Sequence, residues 1–194
     1  MITQIRGKLI EKNPTYVEVD VSGVGYWLNI SLNTYSNLPN EELIFLYTHL
    51  SVKEDSHTLY GFIEEGERKL FLHLISVSGI GPNTGRMMLS SITPQEIQQA
   101  IVKGDVPLIQ RIKGIGPKSA QRLILELQDK LKKEGPDSLI SIPQHYTAKD
   151  EALSALVMLG FPKINAERAL DQAISGSNES LSVEQLIKIA LKSL

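Results

Sequence analysis

The chain has 194 residues, 42% of them hydrophobic and 22% charged, which allows one large domain or two to three small ones. The absence of cysteine excludes disulfides and thiolate zinc sites. No run of about 18 apolar residues could span a membrane, and no signal-peptide pattern opens the chain. We therefore expect a cytoplasmic protein. The four histidines are scattered, and we expect neither a metal site nor a cofactor.

The net charge of −2 is unevenly distributed along the chain. Residues 1–62 carry net −3 and residues 135–194 carry net −2. Residues 63–134 hold 11 basic and 8 acidic side chains, net +3. A nucleic-acid-binding role would therefore depend on the middle third.

The first third is typical of short β-strands. Runs rich in β-branched and aromatic residues occur at 17–21, 24–30, 43–47 and 58–62. Turn-forming residues separate the early runs at 12–14 and 22–23. About five short strands in some 60 residues favour a small closed or partly closed barrel, with the OB-fold as the leading candidate for residues 1–63.

From Glu64 onward the hydrophobic period changes from 2 to 3.6. Residues 70, 71, 74 and 75 form one helical face, and Thr93-Pro94 with Glu96 predicts a helix start with a capping box. Apolar residues at 120, 123, 124, 127 and 131 predict an amphipathic helix with lysines near its end. We expect a helical domain over 64–134.

Residues 135–147 show no periodicity and are predicted to be a flexible linker. Three short helical patterns follow at 149–159, 165–174 and 182–191, the last with Ser182 and Gln185 as a capping box. We predict a three-helix module over 148–194, of the size of a docking module. Its core is expected to include Leu156, 159–161 and Leu170. The residues predicted to contact a partner are Leu170, Leu186 and Ile189. The fold class is α+β multidomain.

Two six-residue segments repeat at an offset of 35 residues. Gly-Ile-Gly-Pro-Asn-Thr at 79–84 aligns with Gly-Ile-Gly-Pro-Lys-Ser at 114–119, and each segment opens a helical pattern. The two glycines permit a tight hairpin with positive φ angles. The isoleucine between them anchors the hairpin, and the proline suits the first helical turn. The repeat predicts two similar helix–hairpin–helix units.

Such a hairpin presents a row of backbone N–H groups at the positive end of a helix, which is a phosphate site. It contacts backbone rather than base edges, so the binding would be independent of sequence. The candidate DNA-binding residues are Gly79, Gly81, Asn83, Thr84, Arg86, Gly114, Gly116, Lys118, Ser119 and Arg122. The alternative is that both turns are only tight connections between helices. A P-loop is excluded because proline interrupts the Gly-Lys-Ser sequence and no strand precedes it.

This repeat is the helix-hairpin-helix motif found across DNA-repair proteins, and the whole chain resembles the RuvA family. The resemblance rests on the order of the predicted domains and on four further segments: 5–7, 23–26, 48–55 and 59–62. The resemblance implies flat homotetramers, sometimes doubled to octamers, that hold a four-way Holliday junction open and square. It implies roles in DNA recombination, DNA repair and the SOS response to DNA damage.

The same resemblance implies partners and an acidic pin. Glu54 and Asp55 match the pin, which faces the crossover at the centre of the junction; without the family they would be interpreted as solvated turn residues. The C-terminal module is expected to bind the hexameric ATPase RuvB, which supplies ATP hydrolysis for branch migration, and a RuvC-type resolvase is a further expected partner. The chain itself is expected to be non-catalytic. It departs from the family at Asn83, where many relatives have lysine, so we expect a weaker first hairpin.

Two other function classes stay open. A helix-hairpin-helix glycosylase or nuclease would need a pocket carboxylate or metal-spaced carboxylates, and Glu126 and Asp129 instead fit a solvated helix face with lysine neighbours. A single-strand-binding OB-fold protein with an interaction tail is the third hypothesis.

Overall fold

The computed structural model describes residues 1–39, 41–134, 147–175 and 181–193. They belong to two compact units, Met1–Ile142 and Pro143–Leu194. The predicted linker, 135–147, lies outside the described residues except for Thr147. The elements of the first unit are β1 (Gln4–Asn13), β2 (Tyr16–Val21), β3 (Val24–Ile30), α1 (Leu32–Asn37), β4 (Leu43–Val52), β5 (His57–Phe62), α2 (Glu65–Ser76), α3 (Pro82–Ser91), α4 (Pro94–Lys103), α5 (Val106–Gln110) and α6 (Pro117–Glu134).

The five strands close into a barrel in the order β1-β2-β3-β5-β4. All neighbours are antiparallel except β3 and β5, which pair in parallel. This order confirms the predicted five-stranded OB-type barrel. The turn between β2 and β3 has positive φ at both Ser22 (54°) and Gly23 (89°), as a two-residue type I′ hairpin requires. Alternate residues such as Val17, Val19 and Leu28 fill the barrel interior.

Helix α1, which links β3 to β4, is an element that the sequence did not predict. Ser31 caps it by accepting a hydrogen bond of 3.0 Å from the amide of Thr34. A helix of six residues is marginal alone and leaves almost no periodic signal. Its position is determined instead by contacts with α2 and α3, which lie far along the chain.

Helices α2 to α6 share one apolar core, and that core continues into Tyr60 and Phe62 of the last barrel strand. The predicted capping box at the start of α4 is present, with the Thr93 hydroxyl and the Glu96 carboxylate each bonded to the other's backbone amide. The predicted apolar face of α6 is buried along its length. The barrel and the first helices therefore pack as one body.

A buried carboxylate lies where α2 meets α1. Glu67 is 1% exposed and accepts hydrogen bonds from the hydroxyl of Ser31 and, at 2.7 Å, from that of Thr34. The Thr34 oxygen in turn accepts from the amide of Ile63 at 3.2 Å. Burial raises the pKa of Glu67, and the two hydroxyl donors lower it in part. This network connects the barrel to the helical part.

The second unit contains α7 (Ala148–Met158), α8 (Lys163–Ser175) and α9 (Val183–Ala190) within its described residues. Thr147 and Ser182 begin α7 and α9 with capping boxes, the second of which the sequence predicted. The small core includes Leu156, Leu170 and Leu186. Among the described residues, no helix combines the length and apolarity that crossing a bilayer requires.

Candidate nucleic-acid interface

The two predicted hairpins have the same backbone geometry. Gly79 and Gly114 have φ angles of 91° and 90°. One position further on, the amides of Ile80 and Ile115 donate to the carbonyls of Val77 and Ile112, at 3.0 and 3.1 Å. Both isoleucine side chains are buried, as predicted. The 35-residue sequence repeat is therefore a structural repeat.

Several other amides of the two hairpins are unpaired among the described residues. In the described part of the chain, the amides of four residues in each copy donate no hydrogen bond: Gly79, Gly81, Asn83 and Thr84, and Gly114, Gly116, Lys118 and Ser119. Each set lies at the N-terminus of a helix that begins with proline, where the helix dipole attracts anions. Each hairpin can therefore accept a phosphate on main-chain donors.

The second glycine of each hairpin is not required by a positive φ angle or by close packing. Gly81 and Gly116 do not have positive φ, and among the described residues an added Cβ would meet no atom within 4 Å. Gly81 is also the N-cap of α3, a position that favours glycine over alanine. A residue without a side chain at such a position permits close approach of an external group to the backbone. The open space above both glycines fits a bound nucleic-acid strand.

The two hairpins meet at one groove of about 550 Å³. It is lined by Ser78 and Gly79 of the first hairpin and by residues of α6, namely Lys118, Ser119, Gln121, Arg122 and Leu125. The structure thus brings Gly79 together with Lys118, Ser119 and Arg122, which the sequence predicted separately. Leu125 is 83% exposed at this surface, and the sequence analysis did not identify it.

The positive charge is concentrated at the second hairpin. Lys118 is exposed and forms no ion pair with any described residue, and Arg122 is exposed beside Glu126 at 3.4 Å. An ion pair this exposed is weak, so Arg122 can exchange it for a phosphate. Lys113 is a further exposed cation that the sequence analysis missed. The repeat could have identified it. At the offset of 35, Lys113 aligns with Ser78 and Lys118 aligns with Asn83, so each lysine adds a charge that the first hairpin lacks.

Two polar side chains at the first hairpin bond to the barrel. Asn83 Oδ1 accepts a hydrogen bond of 3.2 Å from the Tyr60 hydroxyl. Arg86 Nη1 donates to the carbonyl of Thr15 at 2.9 Å and to Oδ1 of Asn29 at 3.1 Å. The first hairpin therefore offers a potential phosphate mainly its amides.

The predicted acidic pin lies in the loop between β4 and β5. Glu54 and Asp55 are both exposed, and the amide of Lys53 donates to the carbonyl of Ser56 at 2.8 Å beneath them. A short loop at the tip of a hairpin holds two carboxylates close together in solvent. Such a loop repels phosphates that approach it.

The C-terminal module requires a correction. Leu170 and Leu186, predicted to contact a partner, are 0% and 2% exposed, because both fill the core between the three helices. Leu159, predicted to be core, is 62% exposed, because α7 ends one residue earlier. Met158 and Ile164 lie close in sequence and are 86% and 66% exposed. Of the three predicted contact residues, Ile189 alone offers surface, at 39% exposed.

Comparison with known proteins matches all three parts of the chain. Family models described as the RuvA N-terminal domain, the SAM-like helix-hairpin-helix tandem and the RuvA C-terminal domain match residues 1–61, 71–129 and 147–194. Two proteins named Holliday junction branch migration complex subunit RuvA, from Christiangramia forsetii and Flavobacterium psychrophilum, are 52% and 53% identical over 194 residues, which is all of both chains. A third with that name, from Cytophaga hutchinsonii, is 49% identical over 99% of each chain.

Proposed function

Because the chain belongs to the RuvA family, we propose that it binds four-way DNA junctions irrespective of sequence, as a non-catalytic subunit of a branch-migration complex in recombination and repair. The observation that carries this function is the pair of solvent-exposed hairpins, each with four unpaired amides at the positive end of a helix. Amides bind phosphate and do not distinguish bases, so any DNA of suitable shape is a ligand.

The proposed DNA-binding residues are those of the two hairpins, with unequal contributions. The second hairpin supplies amides and the cations Lys118 and Arg122, to which we add Lys113. The first supplies amides from Gly79, Gly81, Asn83 and Thr84. Sequence-independent binding of this kind releases counterions and weakens steeply with salt.

The preference for a junction over a straight duplex is proposed to come from shape. As a tetramer, the protein would present one pair of hairpins to each of four arms. Glu54 and Asp55 on each subunit would face the crossover, where phosphates crowd together. Repulsion between these carboxylates and the phosphates would oppose collapse of the crossover and keep the strands apart.

A series of binding measurements tests this function. A four-way junction, a linear duplex and a single strand with the same base sequences are compared by gel shift, and the products are then separated on a denaturing gel. We expect preference for the junction with every strand intact, and equal affinity for a second junction of unrelated sequence. Strand breaks would indicate a nuclease or glycosylase, and preference for the single strand would indicate a single-strand-binding protein. Light scattering with and without the junction distinguishes one tetramer from two.

The C-terminal module is proposed to recruit a hexameric RuvB-type ATPase, which would hydrolyse the ATP. The proposed contacts are the module's exposed apolar residues Met158, Leu159, Ile164 and Ile189, which have apolar surface to bury against a partner. A RuvC-type resolvase is proposed to act on the same junction. Stimulation of the ATPase by the chain plus junction, absent with either alone, is the expected result.

A further inference from the structure

Helix α3 is attached to the barrel by side chains at three positions. Asn83 accepts from the hydroxyl of Tyr60 at 3.2 Å. Arg86 donates to the carbonyl of Thr15 and to Asn29 Oδ1, at 2.9 and 3.1 Å. Ser90 Oγ accepts from the amide of Leu32 at 3.1 Å. Each contact joins α3 to a residue of the barrel or of its helix α1.

The corresponding positions of the second helix-hairpin-helix unit carry other residues and make no bonds to the barrel among the described residues. At the same offset of 35, Lys118 replaces Asn83, Gln121 replaces Arg86 and Leu125 replaces Ser90. All three are exposed, all three line the groove between the hairpins, and none bonds to the barrel in the described structure. Helix α6 packs against α2, α4 and α5 instead. The positions that attach the first unit to the barrel are therefore the positions that face the candidate DNA surface in the second.

Arg86 is the strongest of the three attachments. Arg86 is partly buried, and one nitrogen donates to two barrel oxygens, that of Thr15 in the turn between β1 and β2 and that of Asn29 in β3. Bonds from a charged donor are stronger than neutral ones. A side chain held in this way is not free to follow a phosphate, unlike Lys118, which has no partner among the described residues.

We propose that Arg86 is a positioning residue rather than a phosphate ligand. It fixes the first hairpin to the barrel, which also carries the loop with Glu54 and Asp55. The hairpin amides and these carboxylates therefore keep a fixed position relative to each other when DNA binds. A straight duplex needs only local contact with the hairpins, whereas a junction must contact hairpin and acidic loop together. Loss of Arg86 therefore lowers the preference for the junction. This inference rests on the proposed function.

The salt dependence of binding separates the two roles of an arginine. Loss of a phosphate contact lowers the slope of log K against log salt by about one for every subunit that makes it. Loss of a positioning residue leaves the number of phosphate contacts unchanged. Junction and duplex affinities are measured over about 50–200 mM salt, the range in which such slopes are usually resolved. The proteins are wild type, Arg86→Ala, Arg86→Lys and the control Arg122→Ala.

We expect Arg122→Ala to lower the slope and to weaken junction and duplex alike. Arg86→Ala keeps the wild-type slope and loses about tenfold in preference for the junction, a change that corresponds to about 1.4 kcal/mol. Arg86→Lys recovers part of that preference, because an ammonium can still reach one of the two oxygens. A lowered slope for Arg86→Ala, with equal losses on both DNAs, would overturn the proposal.

A second variant tests the barrel side of the contact and guards against misfolding of the first. Asn29→Ala removes one acceptor of Arg86 and touches no proposed DNA residue. It should also lower the junction preference, and the Asn29→Ala, Arg86→Ala double variant should lose less than the sum of the two. Additive losses, or an unchanged preference in Asn29→Ala, would contradict positioning through the barrel. If the wild type itself shows no junction preference, the proposed function fails, which is a distinct result.

Discussion

The carboxylate of Glu67 accepts a hydrogen bond of 2.7 Å from the hydroxyl of Thr34, and these residues lie 33 positions apart in the chain. Both are fully buried, and the bond connects the first helix of the helical part, α2, to the short helix α1 of the barrel. The packing of the barrel against the hairpin units thus depends in part on a buried ionisable group.

Glu67→Gln should change the pH dependence of stability. Because burial raises the pKa of Glu67 above its unfolded value of 4.5, the folded state binds more protons than the unfolded state between these two values. Wild-type stability due to this group therefore falls as pH rises through that window. The variant lacks this titration, so its stability relative to wild type should increase from about pH 4.5 toward neutrality. Chemical denaturation at several pH values measures this difference, and a constant difference would contradict it.

Glu67→Ala is the companion variant. It removes the acceptor of two buried hydroxyls, those of Ser31 and Thr34, and an unsatisfied buried polar group costs about 1–3 kcal/mol. We expect a loss of about 2 kcal/mol in the free energy of unfolding at neutral pH, measured by urea denaturation. Glu65→Ala, on the exposed side of the same helix turn, should have an effect of under about 0.5 kcal/mol.

Substitutions at the two glycines of each hairpin should affect different properties, the first glycine mainly fold stability and the second mainly DNA binding. Gly79→Ala and Gly114→Ala place a Cβ at a φ near 90° and should destabilise the fold by about 1–2 kcal/mol. In Gly81→Ala and Gly116→Ala the new Cβ meets no described protein atom, so we expect only the helix-cap cost of replacing glycine by alanine, about 0.5–1 kcal/mol. Junction affinity should nevertheless fall in the latter pair, since the new methyl group lies where a DNA backbone would approach. Unchanged affinity in both would argue that the hairpins are only turns between helices.

The second hairpin should contribute more to affinity than the first. Lys118→Ala should weaken junction binding by about fivefold to tenfold and lower the salt slope, because it removes a charged phosphate contact. Asn83→Ala should have a smaller effect, because Asn83 carries no charge and bonds to Tyr60. Asn83→Lys is the reciprocal control and should steepen the salt dependence. Equal losses in the two alanine variants would count against this asymmetry.

Removal of the acidic pin should strengthen binding. The double variant Glu54→Gln, Asp55→Asn keeps the shape of both side chains and removes their repulsion of phosphates. Junction affinity should therefore rise at low salt, and the rise should be smaller at high salt, where charges are screened. Glu41→Gln, at an exposed carboxylate elsewhere on the barrel, serves as the control, with affinities compared per carboxylate neutralised. The same affinity gain in the control would show a general charge effect rather than a local one.

The exposed apolar residues of the C-terminal module should affect the partner and not the fold. Leu159→Ser should reduce binding to a RuvB-type ATPase while the thermal midpoint stays near that of wild type, because Leu159 is 62% exposed. Leu170→Ala should instead destabilise the module by about 2–5 kcal/mol, because Leu170 is fully buried. Calorimetric binding and thermal unfolding measure both. Full ATPase binding by Leu159→Ser would place the contact elsewhere.

The sequence alone was sufficient for the features that depend on local chemistry. Alternating apolar residues and turn residues located β2 to β5 but not β1, and Thr93 with Glu96 predicted the start of α4. The repeat of Gly-Ile-Gly-Pro predicted two tight hairpins with positive φ angles, and the structure has positive φ at the first glycine of each hairpin but not at the second. These features are determined within a few residues, because backbone conformation and helix capping are short-range effects.

Tertiary structure decided which side chains face which surface. Arg86 and Arg122 were both predicted from the sequence to bind DNA, yet Arg86 bonds to Thr15, 71 residues away, whereas Arg122 lines the open groove. The burial of Glu67 and the exposure of Leu159 were equally invisible in the sequence. Each depends on which distant segment packs against the residue, and the local pattern that forms a helix carries no information about that partner.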